Sequence, residues 1–274
     1  MRIDRVFLVF RKDCIEIIRN PSILVPVVLV PLLFSVGLPA VASMIRNSAA
    51  TQTSTLGFIE AIAMALPQSF RSQIEGMNAV QFVTYILYTV FFAPFFLVIP
   101  TMISSVLASD SFAGEKERRT LEPLLATPLS DYEIFVGKVL VSFIPAMVIT
   151  FLSFFVYTAL VDIICLNIFG GRLILPSLSW LVLVLFVCPS FSLGTIGLTV
   201  AISARVKGFR EAQYASTLVI IPIVLLIVAQ SSGMLFLGPT MLVLLGSSAL
   251  IVDLFVFVAG VDAFNREEIL ARLV

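Results

Sequence analysis

The sequence predicts an all-α, polytopic membrane protein with six transmembrane helices, preceded by an amphipathic cytoplasmic elbow helix. Three observations predict it. The chain of 274 residues is 59% hydrophobic and only 12% charged, with a mean hydropathy of +1.11. That is too little charge to solvate the surface of a globular domain of this size. Apolar runs close to the roughly 20 residues that a bilayer crossing needs recur six times. The 17 lysines and arginines divide unevenly between the two sides that six crossings define.

Residues 1–20 carry eight charges, and Ile3, Phe7, Phe10, Cys14 and Ile17 recur at helical spacing. A charged helix with one apolar stripe suits a membrane surface or a protein face that covers the stripe. The charge density and the long apolar run behind it argue against a cleavable signal peptide. Asn20-Pro21 breaks this helix from the first span, because the residue before proline is pushed out of the helical region. The six spans are expected at 23–44, 85–107, 139–161, 178–202, 215–230 and 240–260, within a single transmembrane domain covering 1–274. The outer loop 45–80 contains "LGFIEAIAMAL", whose apolar spacing suits the outer interface. The fifth run is short, and an uncharged "SSGMLFLGP" joins it to the sixth. Two full spans or a re-entrant pair both fit. Prolines accompany every span (Pro26 and Pro31, Pro94 and Pro100, Pro145, Pro189, Pro222, Pro239), as kinks or as ordinary membrane-helix prolines whose freed carbonyls neighbours satisfy.

With six spans, 14 of the lysines and arginines fall on one side; Arg46, Arg71 and Arg172 fall on the other. The positive-inside rule then puts both termini in the cytoplasm of a multi-pass cell-membrane protein. A net charge of zero argues against a nucleic-acid partner. The absence of histidine removes His-based acid–base chemistry and the HExxH zinc motif. Cys14, Cys165 and Cys188 are scattered, so no metal site or disulfide framework is indicated.

The second-to-third loop, 109–138, is the exception to the apolar composition. From Ala108 to Lys138 it holds ten charged residues in 31 positions. Asp110 to Arg119 extends the second helix out of the membrane. Thr120 can cap a new short helix with Pro123 in its first turn, leaving Leu121, Leu124 and Leu125 as an apolar knob. Thr127-Pro128 ends it. "SDYE", Ser130 to Glu133, is a capping box, and Leu129 with Ile134 is placed as a hydrophobic staple, so the third helix starts at about Asp131. A solvated loop does not need two caps, two prolines and a leucine knob; a surface that docks a second protein explains them.

"GEKERRTLEPLLATPLSDYEIFVGKVL" resembles the signature loop of type-2 ABC transporter permeases. The matching positions are Glu115, Glu117, Thr120, Leu121, Glu122, Leu124, Leu125, Thr127, Pro128, Gly137 and Lys138; Arg119 departs, where many members carry glycine. "FREAQYASTLVIIP", Phe209 to Pro222, is similar to the family's entry into the fifth span. The resemblance covers nearly the whole chain and implies the membrane subunit of an ABC exporter. It implies an ATPase-coupling segment within 110–131, at Glu115, Glu117, Arg118, Thr120, Leu121, Glu122, Leu124 and Leu125, and a second cytoplasmic contact at Arg205, Lys207, Arg210 and Glu211. No GxxxxGK[ST] motif occurs, so no cofactor is expected in this chain. ATP and Mg are expected on a separate ABC ATP-binding subunit, which would carry the enzymatic activity. A second permease chain, identical or different, would complete the pathway in the lipid bilayer.

Asp253, in "ALIVDLFVF", is the clearest charge inside a span and is either a substrate-pathway residue or an inward carboxylate bonded to a neighbouring helix. Asp162 and Asp262 lie near span ends, within reach of water. So uncharged a pathway suits hydrophobic or small substrates. Two other classes are weaker. An intramembrane enzyme would need paired catalytic groups in the spans. A non-transporting assembly or sensor protein could use the same ATPase coupling, and measured flux separates it from a transporter.

Overall fold

The computed structural model describes residues 3–47, 76–120, 129–203, 206, 208–232 and 234–263. The interfacial segment expected in the outer loop and the leucine knob at 121–128 lie outside them. The described residues are helical with no strand among them, and six helices are long and apolar enough to cross a membrane: Pro21–Met44, Val80–Glu117, Tyr132–Cys165, Leu178–Ser203, Phe209–Ser231 and Pro239–Val256. We call them the first to sixth spans. The fifth is a full-length helix of 23 residues, not a short one. At 1.5 Å per residue it extends roughly 34 Å, enough to cross the hydrocarbon core.

The second span is the hub. Of its most apolar stretch 67% is buried inside the protein, against 17% and 11% for the fifth and sixth. The first, third and fourth spans pack around it. The fourth and sixth spans pack through their glycines: a Cβ at Gly246 would lie 2.6 Å from the Phe186 ring, and one at Gly194 would collide with the Asp253 carboxylate. Small residues at such crossings let membrane helices approach without a hydrophobic driving force.

Among the described residues, π-helical turns widen four places: Leu33–Gly37, Ile86–Phe91, Asp110–Gly114 and Leu183–Val187. Three of them lie within three residues of a proline, after Pro31, before Pro94 and before Pro189. Proline has no N–H to return to the preceding turn, and a locally wider helix accommodates its ring. In Ile86–Phe91 the consequence is explicit. Pro94 cannot donate to Thr89 or Val90, and side chains from three other spans supply donors instead. Tyr157 of the third donates to the Tyr88 carbonyl at 2.6 Å, and Trp180 Nε1 of the fourth to the Thr89 carbonyl at 2.9 Å. Gln230 Nε2 of the fifth donates to the Val90 carbonyl. Tyr157 and Trp180 stack with centroids 4.7 Å apart, and Tyr88 closes the knot by donating to Pro39 O of the helix that contains the first span. A backbone break in hydrocarbon survives only when its polar groups are met in this way.

The N-terminal helix, Ile3–Arg19, buries Val6, Val9, Asp13 and Ile17 against the rest of the protein. The expected stripe is met in part: Ile17 is buried and Phe10 packs on the core, but Phe7 is 61% exposed, and Leu8, Ile15 and Ile18 are also exposed. The helix therefore has two apolar faces, one packed on protein and one open. Its inner face meets the third span at Gly137, where a Cβ would sit 2.9 Å from Val9. Asn20 then caps the next helix, accepting from Ser22 N at 3.2 Å, with Pro21 at the first helical position. Asp162 also differs from expectation. It is buried, and its Oδ1 accepts from the amides of Ile174 and Leu175 at 3.0 and 3.2 Å, tying the third-to-fourth loop to the helix end.

Candidate functional site

The third helix begins at Asp131 with both arms of a capping box: Ser130 Oγ accepts from Glu133 N and Glu133 Oε2 accepts from Ser130 N, each at 3.2 Å. Leu129 packs with the buried cluster that contains Ile134, completing the staple. This start fixes where Lys138 lies, two turns into the helix.

The second helix runs on past its apolar part to Glu117 and ends in a Schellman motif. Thr120 N donates to Glu115 O at 3.0 Å, and Arg119 N to Lys116 O at 3.2 Å. Arg119 holds the left-handed position of that motif, with φ of 56°. Glycine is the usual residue there because it lacks the Cβ that makes this conformation costly. The departure from glycine noted in the sequence therefore falls on the one residue of the turn that favours it. Thr120 closes the second helix, its hydroxyl also donating to Glu115 O at 3.3 Å; the short helix that it is expected to cap falls outside the described residues.

Between these helix ends and the N-terminal helix lies a charge cluster. Lys138 has no exposed surface, and its Nζ donates to Glu115 Oε2 and to the Ser111 carbonyl and lies 3.7 Å from Asp13 Oδ2. Lys12 Nζ binds the other oxygen of Glu115 and stands 3.1 Å from Asp13 Oδ1 and 3.7 Å from Glu16 Oε2. Arg118 reaches Asp110 at 3.0 Å and Glu16 at 3.1 Å, while Ser111 Oγ donates to Asp13 Oδ2 at 3.1 Å. Gly114 makes room: a Cβ there would lie 2.9 Å from Asp110 Oδ1. Burial alone would lower the Lys12 pKa, but hydrogen bonding and attraction from Glu115, then Asp13, hold it above the ordinary lysine value. Burial likewise opposes Arg118, but its bond with Asp110 and the attraction of Asp110, Glu16 and Glu115 together raise it. Asp13, Glu16 and Glu115 present oxygens within 4.8 Å of one another, the spacing of a metal site. Lysine and arginine nitrogens pair with those same carboxylates.

Glu115 thus binds the N-terminal helix through Lys12 and the third span through Lys138. It is 1% exposed and faces inward. The next carboxylate, Glu117, is exposed and reaches the fourth-to-fifth loop. Its Oε2 accepts from Phe209 N at 2.8 Å, at the start of the fifth span, and a Cβ on Gly208 would come within 2.6 Å of it. A carboxylate there satisfies an unpaired amide and complements the positive end of the helix dipole. Lys116 adds a bond from its Nζ to Val206 O at 3.1 Å. The structure therefore brings together the segments "GEKERRT" and "FREAQ", 92 residues apart.

A model of the family described as ABC-2 family transporter protein matches residues 7–246. That span includes the whole junction and the first five spans and ends within the first turns of the sixth helix. The chain belongs to the ABC-2 transporter family. It is a multi-pass membrane protein and a permease component of an ABC transporter. No curated protein matches the sequence.

Of the ABC-2 coupling residues expected from the sequence, Glu115, Glu117, Arg118 and Thr120 converge on the junction just described; Leu121, Glu122, Leu124 and Leu125 lie outside the described residues. So do Arg205 and Lys207 of the second contact, whereas Arg210 and Glu211 are exposed at the start of the fifth span. Asp253 stands apart, against Gly194 in the packed fourth and sixth spans. Sequence reasoning missed the roles of Lys12, Asp13 and Glu16. Their charges were visible, but the partner that turns Asp13 inward, Lys138, is 125 positions away.

Proposed function

We propose that this ABC-2 chain is the permease half of an ATP-driven exporter, coupled through its 110–131 segment to a separate ABC ATP-binding subunit. Glu115 carries the reading, because one buried carboxylate ties the N-terminal helix, the second span and the third span together. A push on the adjoining 121–128 segment would move three elements as one. Family membership implies the ATPase partner, and the lack of a phosphate-binding GxxxxGK[ST] motif supports placing ATP and Mg on it. The Glu117–Phe209 bond adds the fourth-to-fifth loop to the same surface. The charge asymmetry supports a cytoplasmic location for this face and for both termini. A second permease chain would cover exposed positions of the fifth span such as Ile221, Val224 and Val228.

The decisive experiment is co-purification of the ATPase subunit with Leu124→Asp and Glu122→Lys variants. Leu124→Asp puts an unpaired charge into a docking cleft, where a central residue contributes about 2 kcal/mol or more. It should abolish co-purification at normal membrane levels, and Glu122→Lys should weaken it. Wild-type binding by both would sink the assignment. Vectorial substrate flux in vesicles would separate a transporter from an assembly or sensor protein.

A further inference from the structure

The fourth, fifth and sixth spans line a cavity of about 780 Å³. Its walls are apolar, with Phe191, Leu198, Pro222, Leu225 and Leu245 among them. Two lining residues have polar side chains. Ser248 is satisfied, its hydroxyl donating to Leu245 O at 2.9 Å. Asp253 is not: its Oδ2 is buried and has no hydrogen-bond partner among the described residues. The other oxygen is wedged on Gly194, where no Cβ could fit, so the carboxylate is held in place by shape and not by donors.

We propose that this cavity binds a hydrophobic molecule bearing one ammonium group, with its apolar body on the walls and its cation at Asp253. The volume lies within the range of small-molecule pockets, and such pockets orient ligands with few polar groups in apolar walls. An unpaired carboxylate in a low-dielectric site is unfavourable, and an organic cation supplies the missing charge and donor together. The Phe191 ring offers a second attraction for that cation. An inorganic cation fits poorly. Calcium or magnesium takes about six oxygens or more, and these walls offer one free carboxylate. An anion would meet only repulsion. As a substrate site the cavity rests on the exporter reading; as a binding site it does not.

The test uses the full-length chain in phosphatidylcholine nanodiscs without any ATPase, so failed coupling and failed binding are distinguishable. Three photoreactive dodecyl probes are compared: the ammonium, the neutral alcohol and the sulfate. Wild type should label cavity peptides with the ammonium about tenfold more than with the alcohol, and least with the sulfate. Asp253→Asn should erase the preference by lowering ammonium labelling to the level of the alcohol. Ala249→Phe, which fills the cavity, should lower labelling by the ammonium and the alcohol. Equal labelling of wild type by ammonium and alcohol would overturn the proposal whether or not the variants fold. So would a preference that persists in Asp253→Asn.

Discussion

Lys138, with no exposed surface, donates to Glu115, which lies 23 positions earlier in the chain and on a different helix. A fully buried ammonium is tolerated only while it is paired. Lys138→Met leaves Glu115 and Asp13 under-compensated and should destabilise the protein by about 3–5 kcal/mol, the range for breaking one half of a buried pair. Lys138→Met combined with Glu115→Leu should recover most of that loss, because Lys12 keeps Asp13 and Glu16. Unfolding of detergent-purified variants measures both, and a double variant no better than the single would refute the pairing.

The pH dependence follows from Lys12. Its folded pKa lies above the ordinary 10.5, so the folded state holds its proton more tightly than the unfolded state. Its stabilising contribution is fully present below pH 10.5 and is lost as pH rises through the folded value. Thermal midpoints should show no Lys12-dependent slope from pH 7 to 9. Above pH 10.5 wild type should lose stability faster than Lys12→Met, and parallel curves there would contradict the assignment.

Arg119 predicts a gain. Its φ of 56° is a left-handed conformation that costs a non-glycine residue about 1–2 kcal/mol. Arg119→Gly removes that cost and gives back part of it in unfolded-chain entropy. The net should be a stabilisation of about 0.5–1 kcal/mol, read as a higher thermal midpoint. A lower midpoint would mean that the arginine side chain contributes more than the backbone conformation costs.

The carbonyls of Tyr88, Thr89 and Val90 predict unequal losses. Gln230→Leu leaves Val90 O without its donor beside Pro94, which cannot replace it. Membrane hydrogen bonds of this kind contribute about 1 kcal/mol. Trp180→Phe loses the donor to Thr89 O and keeps most of the aromatic packing, so it should cost a similar amount. Trp180→Leu should cost clearly more, because the stack on Tyr157 goes with it. Equal losses for the two Trp180 variants would show that packing adds nothing to the bond.

The sequence made the six helices legible because hydropathy needs no partner. It also displayed Asn20-Pro21 and the Ser130–Glu133 box, where each cap is written within four residues. The inner face of the N-terminal helix was not legible in that way. Phe7 and Phe10 made the better apolar stripe, but Phe7 is exposed and the buried face carries Asp13, which enters only because Lys138 and Ser111 receive it. Glu115 was found as a motif residue, but its buried pairing with Lys12 and Lys138 was not legible, for the same reason. Gln230 and Trp180 sit in no motif that would single them out. Nothing local says that they answer a proline in another span.

The three donors that meet Tyr88, Thr89 and Val90 also limit how the second span can travel. A ratchet of one helical turn along its axis, about 5.4 Å, would strand all three acceptors in hydrocarbon at once. Tilting or bending about that point keeps them bonded. The Glu115 end is 25 residues farther along, roughly 37 Å of helix. The span is therefore a lever pivoted near one end and gripped at the other, so a small displacement at Glu115 arrives at the pivot as a change of angle and not of depth.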